Sequence, residues 1–102
     1  MATNIRFLAR IGIRGLMEQG NFAFGGGAAF DDLKAYLAAR LFFDPSTDVD
    51  GEINRFLCAV YGKAAGSALR EHLDIMEKAC SGSPLSLYQY PDAEYITDEL
   101  VE

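Results

Sequence analysis

Residues 30–80 read FDDLKAYLAARLFFDPSTDVDGEINRFLCAVYGKAAGSALREHLDIMEKAC. Apolar side chains recur at helical spacing three times in this stretch, and each recurrence ends at a residue that stops a helix. In the first segment, about 29–43, Phe30, Leu33, Leu37 and Leu41 form one stripe. Asp31 and Asp32 open it and Arg40 lies near its end, the polarity that suits a helix dipole. Tyr36, Phe42 and Phe43 widen the apolar surface, and Pro45 forces Asp44 out of the α region. The second segment, about 48–61, repeats Val49, Ile53, Phe56, Leu57 and Val60, with Thr47 or Asp48 as cap. Glu52, Asn54 and Arg55 take its wet side, and Gly62 stops it. The third, about 63–80, carries Ala65, Leu69, Leu73, Met76 and Cys80 inward, with Ala68 and His72 beside them. Small residues in its first turn, Ala64 to Ala68, let another element approach closely.

The flanks are less regular. Residues 4–11 predict a short helix with Ile5, Leu8 and Ile11 on one side, and Gly12 supplies a left-handed C′ residue. Ile13–Met17 is too short for a helix between glycines and predicts a strand, which needs a partner strand for its backbone polar groups. Residues 19–29 are loop, and Gly25-Gly26-Gly27 lacks the Gly-Lys-Ser/Thr ending of a phosphate cradle. Ser81-Gly82-Ser83-Pro84 ends the third helix; an extended tail follows, and residues 92–101 resemble the opening of a further helix. The expected fold is therefore mainly α: a single helical unit over 1–102. It has a short N-terminal helix, one short strand at about 13–17 and a Gly-rich loop before a 30–80 three-helix core, and 81–102 as tail and partial helix.

At 102 residues the chain is one domain at most. Its net charge of −6 argues against a nucleic-acid partner, because an acidic surface repels phosphate. The charge is uneven. Residues 1–17 hold Arg6, Arg10 and Arg14 and no acid, whereas residues 92–102 hold Asp92, Glu94, Asp98, Glu99 and Glu102 and no base. Spaced by four, the arginines read as the wet face of a short helix. The apolar run of about 7 to 15 residues that a secretory signal needs is interrupted by them. No stretch approaches the ~20 apolar residues of a membrane span. As written, the chain reads as cytoplasmic and without a membrane. Cys58 and Cys80 have no CxxC or histidine partner at ligand spacing, so no metal or cofactor is expected, and both are read as buried, reduced thiols.

Candidate chemistry is sparse. Glu18 closes the predicted strand, and strand ends are where barrel enzymes hold catalytic groups. Glycoside hydrolysis needs two placed carboxyl groups, and no second one can be assigned. His72, the single histidine, lies at the edge of an apolar stripe. Asp44, Asp48 and Asp50 lack the glycine and distal glutamate of a calcium loop, and a turn with a helix cap explains them. Tyr36, Tyr61, Tyr88 and Tyr90 are able to stack on sugars, but aromatics are also ordinary core material.

The wording of 30–65 is similar to that of a known family. Leu33-Lys34-Ala35-Tyr36-Leu37-Ala38-Ala39-Arg40-Leu41, Phe43-Asp44-Pro45, Asp48-Val49-Asp50, Phe56 and Tyr61-Gly62-Lys63-Ala64-Ala65 carry the likeness. The chain resembles a bacterial domain of unknown function found in large predicted glycoside hydrolases, related in architecture to alpha-glucuronidases and hexosaminidases. Gly15-Leu16-Met17-Glu18-Gln19-Gly20 resembles that family's segment at a late barrel strand, and Leu87-Tyr88 and Tyr95–Leu100 fit loosely. Two positions depart from the pattern: Phe43 stands where the family has Trp, and Val60 where it has a second Tyr. The resemblance implies the end of a (β/α)8 barrel with the helices that follow it. It makes Glu18 a pocket-facing catalytic candidate and Tyr88 and Tyr90 sugar-stacking candidates, with carbohydrate as a ligand class. The expectation is a non-catalytic helical protein or fragment, covered by a second copy of itself through its apolar helix faces. The alternatives are a homo-oligomeric interaction module and a small hydrolase using Glu18 with Asp44 or His72.

Overall fold

A computed structural model gives the fold and describes residues 1–17, 29–82 and 96–101. It is mainly helical: α1 (Ala2–Arg10), α2 (Asp31–Phe43), α3 (Val49–Tyr61), α4 (Lys63–Cys80) and α5 (Asp98–Val101). The chain divides into two compact units, Met1–Phe56 and Leu57–Glu102.

In the first unit, Leu33, Leu37 and Leu41 are buried along α2, one turn apart, and Ile5 is buried from α1. Leu41 is 1% exposed. The predicted stripe is therefore the core, except that Phe30 does not enter the helix. It adopts a left-handed conformation, φ 60°, as the residue before α2, while its carbonyl accepts the bond from the Lys34 amide at 3.0 Å.

Helix α1 ends as its glycine predicts. Gly12 has φ +84°. Its amide bonds the Ala9 carbonyl at 3.1 Å, and the Ile13 amide bonds the Leu8 carbonyl at 3.2 Å. These paired bonds are a Schellman stop, in which a left-handed residue lets the chain satisfy carbonyls the helix leaves open. The predicted strand at 13–17 does not form. No strand is present among the described residues, and an extended run without a partner cannot pair its own N–H and C=O groups. Ile13 instead serves the helix stop.

Between α2 and α3 the turn Asp44–Thr47 is built from local bonds. Asp44 Oδ1 accepts from the Ser46 amide at 2.9 Å and from its hydroxyl at 2.6 Å. Thr47 Oγ1 donates to the Asp44 carbonyl at 2.7 Å. Arg6 reaches over from α1, donating from Nε to the Pro45 carbonyl and from Nη2 to the Thr47 carbonyl, both at 2.9 Å. The arginine read as merely wet is thus a clamp: its planar fork spans two carbonyls that the proline turn turns outward.

In the second unit, α4 begins one residue after α3 ends. Gly62, with φ 83° and ψ 165°, joins them in a conformation open essentially to glycine alone. Four residues on, buried Gly66 lies so close to α3 that a Cβ there would stand 3.0 Å from the Leu57 carbonyl carbon and oxygen. The small-residue turn does admit a close neighbour, and the neighbour is backbone. Leu57 is fully buried. The α4 stripe is only half covered: Leu69, Leu73, Met76 and Cys80 are intermediate, and Ala65, Ala68 and His72 are exposed. Val60, expected inside, is exposed as well. Cys58 and Cys80 are free thiols, as expected, but Cys58 is exposed and Cys80 half-buried. The apolar positions of α3 span more of its circumference than one neighbour covers, so Val60 and Cys58 fall outside the packed face.

Candidate functional site

The densest polar constellation among the described residues joins α2 to α3. Tyr36 and Arg40 stand one turn apart on α2, so both point the same way. Opposite them is Glu52, in the first turn of α3 and only 7% exposed. The Tyr36 hydroxyl donates to Glu52 Oε2. Arg40 Nη2 donates to Glu52 Oε1 at 3.1 Å, and Arg55 Nη1 lies 3.6 Å from the same oxygen. The rings of Tyr36 and Phe56 pack beside the carboxylate, centroids 5.3 Å apart.

Glu52 corrects the sequence reading, which placed it on the wet side. It lies three residues after Val49 and four before Phe56, so it shares their face, and a carboxylate on that face needs partners. The signal was present in α2, where Tyr36 and Arg40 are the polar groups at i, i+4 beside a leucine stripe.

The electrostatics follow from the contacts. The Tyr36 hydrogen bond, with Arg40 and Arg55 nearby, holds the Glu52 carboxyl below its ordinary range despite burial. The same bond raises the Tyr36 phenol. Hydrogen bonds from Ser46 lower Asp44. A carboxylate held ionised by two hydrogen bonds and a second nearby arginine is a poor general acid or base, because acid–base work wants a pKa near the operating pH. The cluster is a strut.

Two grooves carry the remaining candidates. One lies in the first unit, between α1, the segment Ile13–Leu16 and the end of α2, lined by Ile5, Leu8, Ile13, Leu16, Leu41 and Phe42. Its cavity is about 180 Å³, below the roughly 300–1,000 Å³ of small-molecule sites. It suits a few side chains better than a sugar. The other lies in the second unit along α4, about 630 Å³, where His72 and Glu71 meet Ile75, Met76, Ile96 and Leu100.

The other sequence candidates fall out as follows. Asp44 belongs to its turn, and Asp48 precedes α3, its carboxylate over Gly51 and its carbonyl bonded by the Glu52 amide at 3.0 Å. Among the described residues no group of three or more His, Cys, Asp or Glu side chains is placed to hold a metal. No described helix is long and apolar enough to cross a membrane. Glu18, Tyr88, Tyr90 and the Gly25–Gly27 run lie outside the described residues.

The profile of the family described as "Domain of unknown function (DUF4838)" matches residues 1–74. The chain belongs to the DUF4838 family. The match takes in α1, α2, α3 and α4 as far as Asp74, and with them the Glu52 strut, the Arg6 clamp and the apolar groove. The expected membership of a domain-of-unknown-function family is thereby established. No curated protein and no solved structure matches this DUF4838 chain.

Proposed function

We propose that this DUF4838 chain is a non-catalytic helical packing element related to bacterial glycoside-hydrolase-like proteins. Its work on this reading is to present apolar surface that another protein surface covers. One observation carries it. In the first unit, Ile11, Ile13, Leu16, Met17, Phe42 and Phe43 are all exposed, with Met17 at 88% and Phe43 at 91%. Three of them, Ile13, Leu16 and Phe42, line the groove between α1 and α2, and apolar side chains gathered around one groove mark an interaction surface where scattered ones are ordinary. The sequence likeness of Gly15–Gly20 and 33–65 to predicted glycoside hydrolases supports the lineage. The strut chemistry of Glu52 supports a structural role over a catalytic one.

The test pairs two assays on the purified chain. Aryl glycosides are expected to remain unhydrolysed, and the exposed apolar groove is expected to bind a hydrophobic dye that a partner displaces. Hydrolysis that Glu18→Gln abolishes overturns the proposal in favour of the hydrolase reading.

A homo-oligomeric interaction module is the second reading, favoured by the same exposed surface. It differs in naming the partner as another copy of the chain.

A further inference from the structure

The groove of the first unit has a charged frame as well as an apolar floor. Arg14 lines it directly. Across α1, Arg6 and Arg10 line a second, open groove that shares Ala9 and Pro45 with the first. Arg6 is engaged by the turn carbonyls. Neither Arg10 nor Arg14 has an ion-pair partner among the described residues, and both are exposed. The surface around α1 is thus apolar in its centre and cationic at its edges, in a chain whose net charge is −6.

The opposite pattern lies near the end of the same sequence. Residues 96–102 read Ile-Thr-Asp-Glu-Leu-Val-Glu, with three acids and no base. In α5, Leu100 is half-buried in the α4 groove and Val101 stands at the rim of the same groove, 76% exposed; Asp98 and Glu99 are exposed. Asp98 and Val101, three apart, are neighbours on the helix surface. The segment therefore presents carboxylates beside an aliphatic side chain, the complement of an apolar floor between arginines.

We propose that the α1–α2 groove receives the acidic α5 segment of a second copy, and that the exchange is reciprocal. This rests on the reading that the apolar surface is an interface, and deepens it by naming the occupant. Charge complementarity sets the pairing: Arg10 and Arg14 meet Asp98 and Glu99, and Val101 enters among Ile13, Leu16 and Phe42. One short segment in a cavity of about 180 Å³ is too small to hold two proteins together, since stable interfaces bury roughly 1,200–2,000 Å². Two such contacts related by a two-fold axis double the area and close the assembly. The contact is electrostatic at its rim, so salt weakens it.

The experiment is a charge exchange followed by light scattering, with far-UV circular dichroism confirming each variant's helix content. At low salt the wild-type chain forms a dimer. R10E/R14E and D98K/E99K each associate at least about tenfold more weakly, because like charges then face each other. Mixed one to one, the two variants recover a dimer, since each groove again meets a segment of opposite charge. A monomeric wild-type chain overturns the proposal, and so does a mixture that stays monomeric. A wild-type dimer that R10E/R14E leaves unchanged also overturns it, while leaving intact the broader reading that the apolar surface is covered by a partner.

Discussion

Tyr36 on α2 donates its phenolic hydrogen bond to Glu52 on α3, and that carboxylate is almost wholly buried. The pair fixes the rotation of α3 about its axis, because Glu52 has one place to find its donors. Arg40 adds a second bond to the same carboxylate from one turn along α2. The two helices are thereby held in one register, with hydrogen bonds supplying a direction that apolar packing alone lacks.

The pair makes stability depend on pH at both ends. Glu52 is held below its ordinary 4.5, first by the Tyr36 bond. Above 4.5 the carboxylate is ionised in folded and unfolded chains alike, and its contribution is complete. Below that value the unfolded chain takes up a proton the folded chain refuses, so stability falls as pH falls through the lowered native value. Tyr36 is held above its ordinary 10.0 by the same bond. Its contribution is complete below 10.0 and is lost as pH rises through the raised native value. Tyr36→Phe is expected to lower the melting temperature at neutral pH and to flatten the alkaline limb. Melts from about pH 3 to pH 11 measure this. An unchanged alkaline limb contradicts the bond.

Two glycine substitutions of like chemistry should differ in outcome. Alanine in a helix interior gains about 1 kcal/mol over glycine. At Gly66 the added methyl meets Leu57 backbone at 3.0 Å, and overpacking of that kind costs about 1–3 kcal/mol. At Gly51 it meets the tip of the Asp48 side chain, which can swing aside. Chemical denaturation should show Gly66→Ala neutral to destabilising by up to about 2 kcal/mol, and Gly51→Ala neutral to stabilising. The reverse order would mean that α4 does not approach α3 at this point.

Arg6→Ala removes two hydrogen bonds to turn carbonyls that water can partly replace, so the expected loss is about 1 kcal/mol. Its specific mark is local. Amide exchange across Ala2–Arg10 should accelerate more than exchange in α2. Arg6→Lys should fail to restore protection, since a point charge cannot span both carbonyls. Equal acceleration in both helices speaks against a clamp.

Leu41→Ala opens a cavity where the first unit is most fully buried and should cost about 2–5 kcal/mol. Calorimetry of the purified chain measures it. A loss under about 1 kcal/mol would show that Leu41 is not at the centre of the core.

Much of this was legible in the sequence because it is local. The Leu33, Leu37, Leu41 stripe, the stop at Gly12, the stop at Gly62 and the Asp44-Pro45 turn each depend on residues within a turn of one another. What was not legible depends on neighbours far along the chain. Ile13–Met17 has strand-like composition, but a strand is a property of two segments, and no second one pairs with it among the described residues. Glu52 reads as surface until Tyr36 and Arg40 are placed opposite it. Val60 and Cys58 read as core because periodicity finds an apolar face without saying how wide the covering element is. Of the candidate site, Asp44 and His72 were visible as residue types, but the groove that His72 lines is set by tertiary packing.

The proposed pairing covers the exposed apolar groove of this DUF4838 chain with a second copy. Light scattering after size exclusion, at about 100 μM chain and low salt, tests it most directly, because association depends on concentration. The account predicts a mass twice the 11.2 kDa of the chain, falling toward the monomer as salt rises. A mass of 11.2 kDa under those conditions contradicts it.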